Sequence, residues 1–228
     1  EPEHWEDRTL EEYGPYLPKG EKWKEKYDEP EPPDTEDLPD LPEGWVWITL
    51  PQIGELGRGK STHRPRNDER LFGGPYPFIQ TGAVRAAEGT VTQYELTYSE
   101  FVLSQIKLWP RGTLCITIAA NIAETAVLGF EGTFPDSVVG FVAEEGAHVR
   151  FVDYYIRSIQ TRLESNAPAT AQKNINLTTL RNLAVPLPPT AEQCRIVEEV
   201  ERLLSVVQVL ERCGEANLAR AERLRQAI

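Results

Sequence analysis

Short apolar runs recur between Trp45 and Pro189 and predict the strands of a mixed α+β body. The runs are rich in β-branched or aromatic residues, and most are bounded by glycine, proline or aspartate, which is typical of strands. The run that begins at Thr113 is continuously apolar, so we expect it to be buried on both faces of a sheet. The predicted strands cover residues 45–50, 77–84, 113–119, 125–130, 137–143 and 182–189.

Two stretches of this body follow a helical period instead. Ser99 can cap a short helix within residues 99–109. A single apolar stripe predicts a second helix over residues 150–163, formed by Phe151, Tyr155, Ile159 and Leu163. The segment 54–77 follows neither period and is predicted to be a long loop.

Residues 190–228 carry the most regular pattern of the chain. Thr190 and Gln193 fit a capping box, in which each side chain bonds the backbone amide of the other residue. Apolar residues then recur at three- and four-residue spacing, interrupted at Gly214 and Asn217, as in a coiled-coil seam that needs a partner helix. An alternative stays open, in which the helix folds back on its own domain and breaks at Gly214. The seam consists of Ile196, Val200, Leu203, Val207, Leu210, Ala221, Leu224 and Ile228.

The segment before the body is acidic and rich in proline. Residues 1–44 hold 8 of the 18 prolines, and residues 1–43 contain 16 acidic and 5 basic side chains. This composition predicts an extended linker, because it cannot bury enough apolar area to fold alone. Residues 44–189 contain 13 acidic and 13 basic side chains, so the net charge of -12 does not exclude a basic face on the body. We therefore expect three parts, a linker (1–44), a body (45–189) and a long helix (190–228).

Cysteine usage and hydropathy exclude other classes of protein. The three cysteines, Cys115, Cys194 and Cys213, form no CxxC pair or Cys/His cluster, so neither a zinc site nor a disulfide framework is predicted. Free thiols fit a cytoplasmic protein. No apolar run approaches the ~20 residues of a membrane span, and no secretory leader is recognised. The chain contains no methionine, so we expect it to be a piece of a longer reading frame.

One motif imitates a nucleotide-binding site. Residues 54–61, GELGRGKS, match the phosphate-loop pattern GxxxxGK[ST]. A working phosphate loop needs a helix directly after it, whose N-terminal amides hold the anion. Pro65 and the lack of apolar periodicity after Ser61 argue against such a helix, so a phosphate-loop NTPase is a weak hypothesis.

The same loop is also a candidate nucleic-acid contact. It concentrates cations without an acidic residue between them, and small polar side chains accompany them. Arginine can bond guanine bidentately, and lysine and serine bond phosphate. A solvated charged loop remains the alternative. The candidate DNA contacts in this loop are Arg58, Lys60, Ser61, Thr62, Arg64 and Arg66.

Two further polar sets are candidates for DNA contact. Asparagine and glutamine amides pair with the adenine edge in the major groove, and Gln172, Lys173, Asn174 and Asn176 supply such groups with a cation. An ordinary Asx-rich turn that caps a short helix at residues 177–180 is the alternative for this stretch. Three polar residues near the ends of predicted strands form the third set, Thr81, Arg85 and Asn121. No catalytic motif is recognised, since GxSxG, HExxH and an Asn-Pro-Pro-aromatic tetrad are lacking.

Two stretches of sequence carry a family resemblance. The first is LPEGWVWITLPQIGEL from Leu41, followed by a loop of small and polar residues, and the second is AQKNINLTTLRNLAVPLPPTAEQCRIVEEVERLL from Ala171. Together they resemble the DNA specificity subunit of Type I restriction-modification systems over residues 41–212. The closing pattern, a strand, then PLPPTAEQ, then a heptad helix, is the most specific part.

The resemblance implies a non-catalytic subunit that recognises double-stranded DNA. Such a subunit holds two target recognition domains apart with two antiparallel helices, and each domain reads one half of a bipartite site. It binds two methyltransferase subunits, which hold S-adenosylmethionine, and a restriction subunit that consumes ATP, with Mg expected on the partner subunits. This chain would supply one recognition domain and one helix, with a second half that is covalent or contributed by homodimerisation. A coiled-coil adaptor that binds protein only, and a phosphate-loop NTPase, stay open as alternatives.

Overall fold

The computed structural model describes residues 29–61, 68–119, 121–165 and 174–226. The chain divides into the units Glu1–Pro30 and Glu31–Ile228, and only Glu29 and Pro30 of the first unit are described. The elements are β1 (Val46–Thr49), β2 (Gly54–Arg58), β3 (Phe72–Phe78), α1 (Thr81–Ala86), β4 (Thr90–Val91), β5 (Leu96–Tyr98), α2 (Glu100–Leu103), β6 (Leu114–Thr117), β7 (Thr125–Leu128), β8 (Val138–Ala143), α3 (Val149–Ser158), α4 (Gln160–Ser165), α5 (Leu177–Arg181), β9 (Ala184–Leu187) and α6 (Thr190–Gln226). Short 3-10 turns lie at Leu50–Gln52 and Glu69–Leu71.

A five-stranded sheet forms the centre of the second unit. Its strand order is β2-β8-β6-β7-β4, with antiparallel pairs except for the parallel pair β4–β7. Two antiparallel pairs, β1–β9 and β3–β5, flank it. The α+β class predicted from the sequence is therefore confirmed.

Strand β6 shows why the sheet is central. Leu114 and Ile116 pack in a large core with α3, β9 and the start of α6, while Cys115 packs on the opposite face with Trp109 and Phe134. Because successive side chains of a strand point to opposite faces, both faces of the sheet are buried. This confirms the prediction made from the continuous apolar run at residues 113–119.

The predicted long loop at residues 54–77 is wrong at both of its ends, where β2 and β3 form. Strand β2 contains two glycines because its neighbours leave no room for a side chain. A Cβ atom at Gly54 would lie 2.3 Å from the carbonyl oxygen of Val142, and one at Gly57 would lie 2.8 Å from the Trp109 ring. Glycine in a strand marks such a close approach, which hides the apolar alternation from the sequence.

Two other local predictions are also wrong. The strand predicted over residues 77–84 ends at Phe78, and Thr81–Ala86 forms the helix α1. The single helix predicted over residues 150–163 is divided at Ile159 into α3 and α4. The Ser99 cap position is confirmed, although its hydroxyl donates to the backbone carbonyl of Arg70 instead of capping α2.

The predicted capping box at the start of α6 is wrong because Gln193 has another role. Its fully buried side chain accepts a hydrogen bond from the His148 amide at 2.8 Å. It also donates to the carbonyls of Gly146 and Pro188 at 2.8 and 2.9 Å. Gln193 therefore fastens the loop before α3 to the base of the long helix.

Helix α6 is continuous through Gly214 and leaves the body after its first turns. Val197 is buried and Ile196 packs against the large core, and Val200 is half-buried. Every described side chain from Glu201 onward is exposed, with values of 46% to 65% for the large apolar ones. A helix of this length extends about 55 Å. The alternative of a helix folded back on its own domain is therefore wrong for the described part of α6.

Asp153 joins α3 to the sheet through a fully buried carboxylate. It accepts hydrogen bonds from Thr125 Oγ1 at 2.6 Å, Arg157 Nε at 2.8 Å and Arg150 Nη1 at 3.2 Å. We expect Asp153→Ala to lower the free energy of unfolding by about 3 kcal/mol, since it leaves two arginines without their buried partner.

Urea denaturation of the unmodified chain and of the Asp153→Ala variant measures this loss in the free energy of unfolding. Glu199→Ala is the matched control, because Glu199 pairs with Arg202 on the exposed surface of α6 at 2.7 Å, and such pairs contribute roughly 1 kcal/mol or less. Equal losses for Asp153→Ala and Glu199→Ala would show that the buried network does not stabilise the fold.

Candidate nucleic-acid interface

Strands β2, β6, β7 and β8 of the central sheet end or begin at the same end of the sheet. The register aligns Arg58 of β2 with Val139 of β8, Val139 with Ile116 of β6, and Ile116 with Thr125 of β7. The loops that connect to these strands beyond the aligned residues Arg58, Val139, Ile116 and Thr125 therefore lie at that end of the sheet. The topology brings together segments that are far apart in the sequence.

Hydrogen bonds between the loops join them into one surface. The Ile118 amide donates to the Ser137 carbonyl at 2.9 Å, and the Ile175 amide donates to the Ile118 carbonyl at 3.0 Å. A β-bridge also pairs Ala119 with Asn174. We call this the sheet-end surface. It comprises residues 58–61, 118–119, 121–122, 134–137 and 174–176, with Thr81 and Arg85 of α1 beside it.

Three predicted contacts from the basic loop lie on the sheet-end surface. The Arg58 guanidinium donates to the Asp136 carbonyl and lies 4.0 Å from its carboxylate, and Ser61 Oγ donates to that carboxylate at 2.8 Å. The Lys60 amide donates to the Phe134 carbonyl at 3.1 Å, which fixes its backbone. The Lys60 side chain is exposed and has no acidic partner among the described residues. Asp136 engages Arg58, so Lys60 is the one of these two cations whose charge is not offset by a described carboxylate.

The structure also brings Arg85 and Asn121 together. Arg85 Nη1 donates to Asn121 Oδ1 at 3.5 Å, which is a long hydrogen bond. Arg85 is exposed, and Thr81 and Asn121 are half-buried. Thr81 precedes Arg85 by four residues on α1, so both lie on one face of that helix. The third polar set thus forms a cluster at the sheet end, which its spacing in the sequence did not reveal.

Asn174 and Asn176 have different environments. Asn174 is exposed and forms the β-bridge to Ala119. Asn176 caps α5, since its Oδ1 accepts from the Thr179 amide at 2.7 Å and from the Thr179 hydroxyl at 3.0 Å. The Asx-turn alternative is confirmed for Asn176, which leaves only its amide NH₂ for another partner.

Five of the predicted contacts lie outside the described residues. Three of them follow Ser61, where one described range ends, and two precede Asn174, where another begins. The DNA contacts predicted for these five stay predictions. They are Thr62, Arg64, Arg66, Gln172 and Lys173.

The phosphate-loop pattern does not form a phosphate loop. Gly54–Arg58, which would have to curve around an anion, is the extended strand β2 paired along its length with β8. Ser61, which would bind magnesium, is bonded to Asp136. The described part of the motif therefore contradicts a nucleotide site.

Sequence reasoning missed two residues of the sheet-end surface and its surroundings. Asp136 organises Arg58 and Ser61 from 75 or more positions away, and Gln160 of α4 donates to the Ile122 carbonyl at 3.0 Å. Neither carried a sequence signal, because an isolated aspartate after proline and a glutamine on a helix are common surface features.

Burial raises the pKa of the Cys115 thiol far above its ordinary value, so this cysteine is a packing residue and not a nucleophile.

The described ranges contain neither a metal site nor a membrane-spanning helix. No group of three or more His, Cys, Asp or Glu side chains there could hold a metal ion. None of the helices in the described part of the chain has the length and hydropathy to cross a bilayer.

Comparison with known sequences gives a family match and two curated relatives. Residues 42–214 match the family of the Type I restriction modification DNA specificity domain. The EcoDI specificity subunit of a Type I restriction enzyme from Escherichia coli is 25% identical over 202 residues, which cover 84% of this chain and 42% of that protein. The EcoBI specificity subunit from Escherichia coli is 39% identical over 70 residues, which cover 31% of this chain and 15% of that protein.

Solved structures have the same fold. A chain from work on complex assembly and conformational transition of the type I R-M system superposes with a TM-score of 0.71 and 22% identity, covering 84% of this chain and 46% of that chain. The HsdS subunit from Thermoanaerobacter tengcongensis superposes with a TM-score of 0.63 and 22% identity, covering 78% of this chain and 42% of that chain. This chain thus spans less than half the length of these relatives. The family match over residues 42–214 confirms the resemblance, and the chain belongs to the Type I restriction-modification DNA specificity family.

Proposed function

We propose that residues 45–189 read one half of a bipartite DNA site within a Type I restriction-modification assembly. The observation that supports this most is the sheet-end surface. Lys60, Arg85 and Asn174 are exposed there, and they come from three separate segments of the chain. Cations position a protein on the phosphate backbone, and amides and arginines read base edges.

The long helix has a separate part in this proposal. The described residues of its apolar seam beyond Glu201, which are Leu203, Val207, Leu210 and Ala221, are exposed in this chain. A seam of this kind is stable when a second helix covers it. We infer that this second helix belongs to the other recognition half, either on the same polypeptide or in a second copy. The paired helices would then set the distance between the two half-sites.

The chemistry of the assembly would belong to other subunits. Adenine methylation would take place on a methyltransferase subunit that holds S-adenosylmethionine. Cleavage would take place on a restriction subunit supplied with ATP and Mg. This chain would supply recognition and docking, and it would work in the cytoplasm, where the genome is.

The proposal is tested by DNA binding of the assembled complex. Methylation profiling of a genome that carries the complete system gives the bipartite motif, and a duplex with that motif is titrated against a duplex with both halves scrambled. We expect the motif to bind at least about 10³-fold more tightly, as for other specific DNA-binding proteins. Equal affinity for the two duplexes would favour the protein-only adaptor.

A further inference from the structure

The contact between the described part of the long helix and the body is short. Val197 is buried and Val200 is half-buried, and every described side chain of α6 from Glu201 onward is exposed. The contact therefore lies within residues 190–200, which is about 16 Å of a helix that extends about 55 Å. The direction in which α6 leaves the body depends on the few side chains in this segment.

Gln193 is the fully buried polar side chain of this contact. Its Oε1 accepts from the His148 amide at 2.8 Å, and its Nε2 donates to the Gly146 and Pro188 carbonyls at 2.8 and 2.9 Å. Hydrogen bonds are directional, so these three bonds restrain the orientation of α6 as well as its distance from the body. All three partners are backbone atoms, so a body with other side chains and the same backbone would be held in the same way.

A further hydrogen bond holds the same turn of α6. Trp45 Nε1, from the residue that precedes β1, donates to Glu192 Oε2 at 3.1 Å, and both residues are half-buried. Helix α3 also packs against α6. The first turn of α6 is thus bonded to three separate segments of the body. We call these residues the joint, and they are Trp45, 146–148, 188–189 and 192–193.

A small change of orientation at the joint would displace the DNA-facing surface by a whole base pair. A folded body of the size of residues 45–189 has a radius of gyration of about 15 Å. Rotation by about 13° moves a point at that distance by about 3.4 Å, which is the rise of one base pair. Helices that measure a spacing in whole base pairs therefore need a joint that is rigid to within about this angle.

We propose that Gln193, assisted by Glu192, is a positioning residue that fixes the spacing between the two half-sites by holding the body in one orientation on the long helix. This inference rests on the proposed function, in which paired long helices separate two recognition halves. It gives the joint a part in specificity that requires no contact with DNA. The body reads the half-site, the helix supplies the length, and the joint makes that length accurate.

Spacer discrimination by the reconstituted assembly tests the proposal. The target duplex is compared with duplexes that have the same half-sites and a spacer one base pair longer or shorter. We expect the unmodified complex to prefer the native spacer at least about tenfold, the effect of about one mismatched base pair. Gln193→Met is expected to reduce this preference to about threefold or less, because methionine has a similar shape and makes none of the three hydrogen bonds.

Glu192→Ala is a second variant that does not disturb the buried network. It removes the acceptor of the Trp45 bond from a half-buried position, so it tests the joint even if Gln193→Met fails to fold. We expect the preference for the native spacer to fall by a smaller factor than in Gln193→Met. Circular dichroism shows whether each variant is folded.

Val102→Ala is the matched control. Val102 of α2 is fully buried in an apolar cluster separate from the large core that α6 joins. We expect this substitution to lower the stability of the body and to leave the preference for the native spacer as it is in the unmodified complex.

Three results would overturn the proposal. The first is an unchanged preference for the native spacer in folded Gln193→Met, or in Glu192→Ala if Gln193→Met does not fold. The second is an equal loss of preference in Val102→Ala, since any destabilised body would then relax the spacing. The third is an unmodified complex that binds the motif but accepts every spacer equally. Failure of the unmodified complex to distinguish the motif from the scrambled duplex would instead refute the proposed function itself.

Discussion

Alanine at Arg58, Lys60, Arg64 and Arg66 is expected to abolish specific binding of the target duplex by the assembled complex. Each lost base contact costs about 1–3 kcal/mol, and each lost phosphate contact also reduces the salt dependence of log K by about 0.9. We expect affinity for the motif to fall by at least about 10³-fold, which is the usual margin between specific and non-specific binding. Fluorescence anisotropy at several salt concentrations measures both the affinity and the slope.

Arg111→Ala is the matched control for this experiment. Arg111 is exposed in the turn that precedes β6, whereas the sheet-end surface follows the end of β6. The Gly112 amide in the same turn donates to the Leu128 carbonyl at the end of β7, so Arg111 lies at the opposite end of the sheet. We expect the complex with Arg111→Ala to bind the target duplex with the same affinity and the same salt slope as the unmodified complex. An equal loss from Arg111→Ala would mean that the sheet end has no special role.

Aspartate at Leu203 and Val207 is expected to prevent pairing of the long helix. Both residues lie on the predicted seam and are close to half exposed in this chain. Burying an unpaired carboxylate in a helix interface costs several kcal/mol, so we expect association through α6 to weaken by at least about a hundredfold. Sedimentation velocity of the chain and of the assembled complex measures the association.

The control for the helix experiment is Gln208→Asp. Gln208 is exposed on α6 next to Val207 but does not belong to the seam, and the substitution carries a similar cost in helix propensity. Circular dichroism shows whether the helix persists in each variant. Association that survives the seam variant, with the helix intact, would contradict the pairing.

The apolar strands and the long helix could be predicted from the sequence because their signals are local. Continuous apolar runs mark β6, β7 and β8, and heptad spacing marks α6. Strand β2 could not be predicted in this way, since its glycines are required by Phe141, Val142 and Trp109, which lie far along the chain. The role of Gln193 was missed for the same reason, because its partners belong to other segments.

The candidate site could be predicted in its residue types but not in its arrangement. The basic loop and the amide-bearing loop can each be recognised in the sequence. The strand order that places them at one end of the sheet depends on pairing between distant segments, so no single loop predicts it. The Arg58–Asp136 contact and the Arg85–Asn121 contact both depend on that order. The Asn176 cap was open to two interpretations in the sequence, and the structure assigns its oxygen to α5.

Exchange of the body tests the central claim most directly. Residues 45–189 are replaced by the corresponding segment of another specificity subunit in the complete system, and the methylated motif of the host genome is determined by sequencing. The account predicts that the half-site read by this body changes while the spacing stays the same, with one half altered if the other half is on the same polypeptide and both halves altered alike if it is a second copy of this chain. An unchanged motif, or unchanged halves at a new spacing, would contradict the claim that this body reads a half-site.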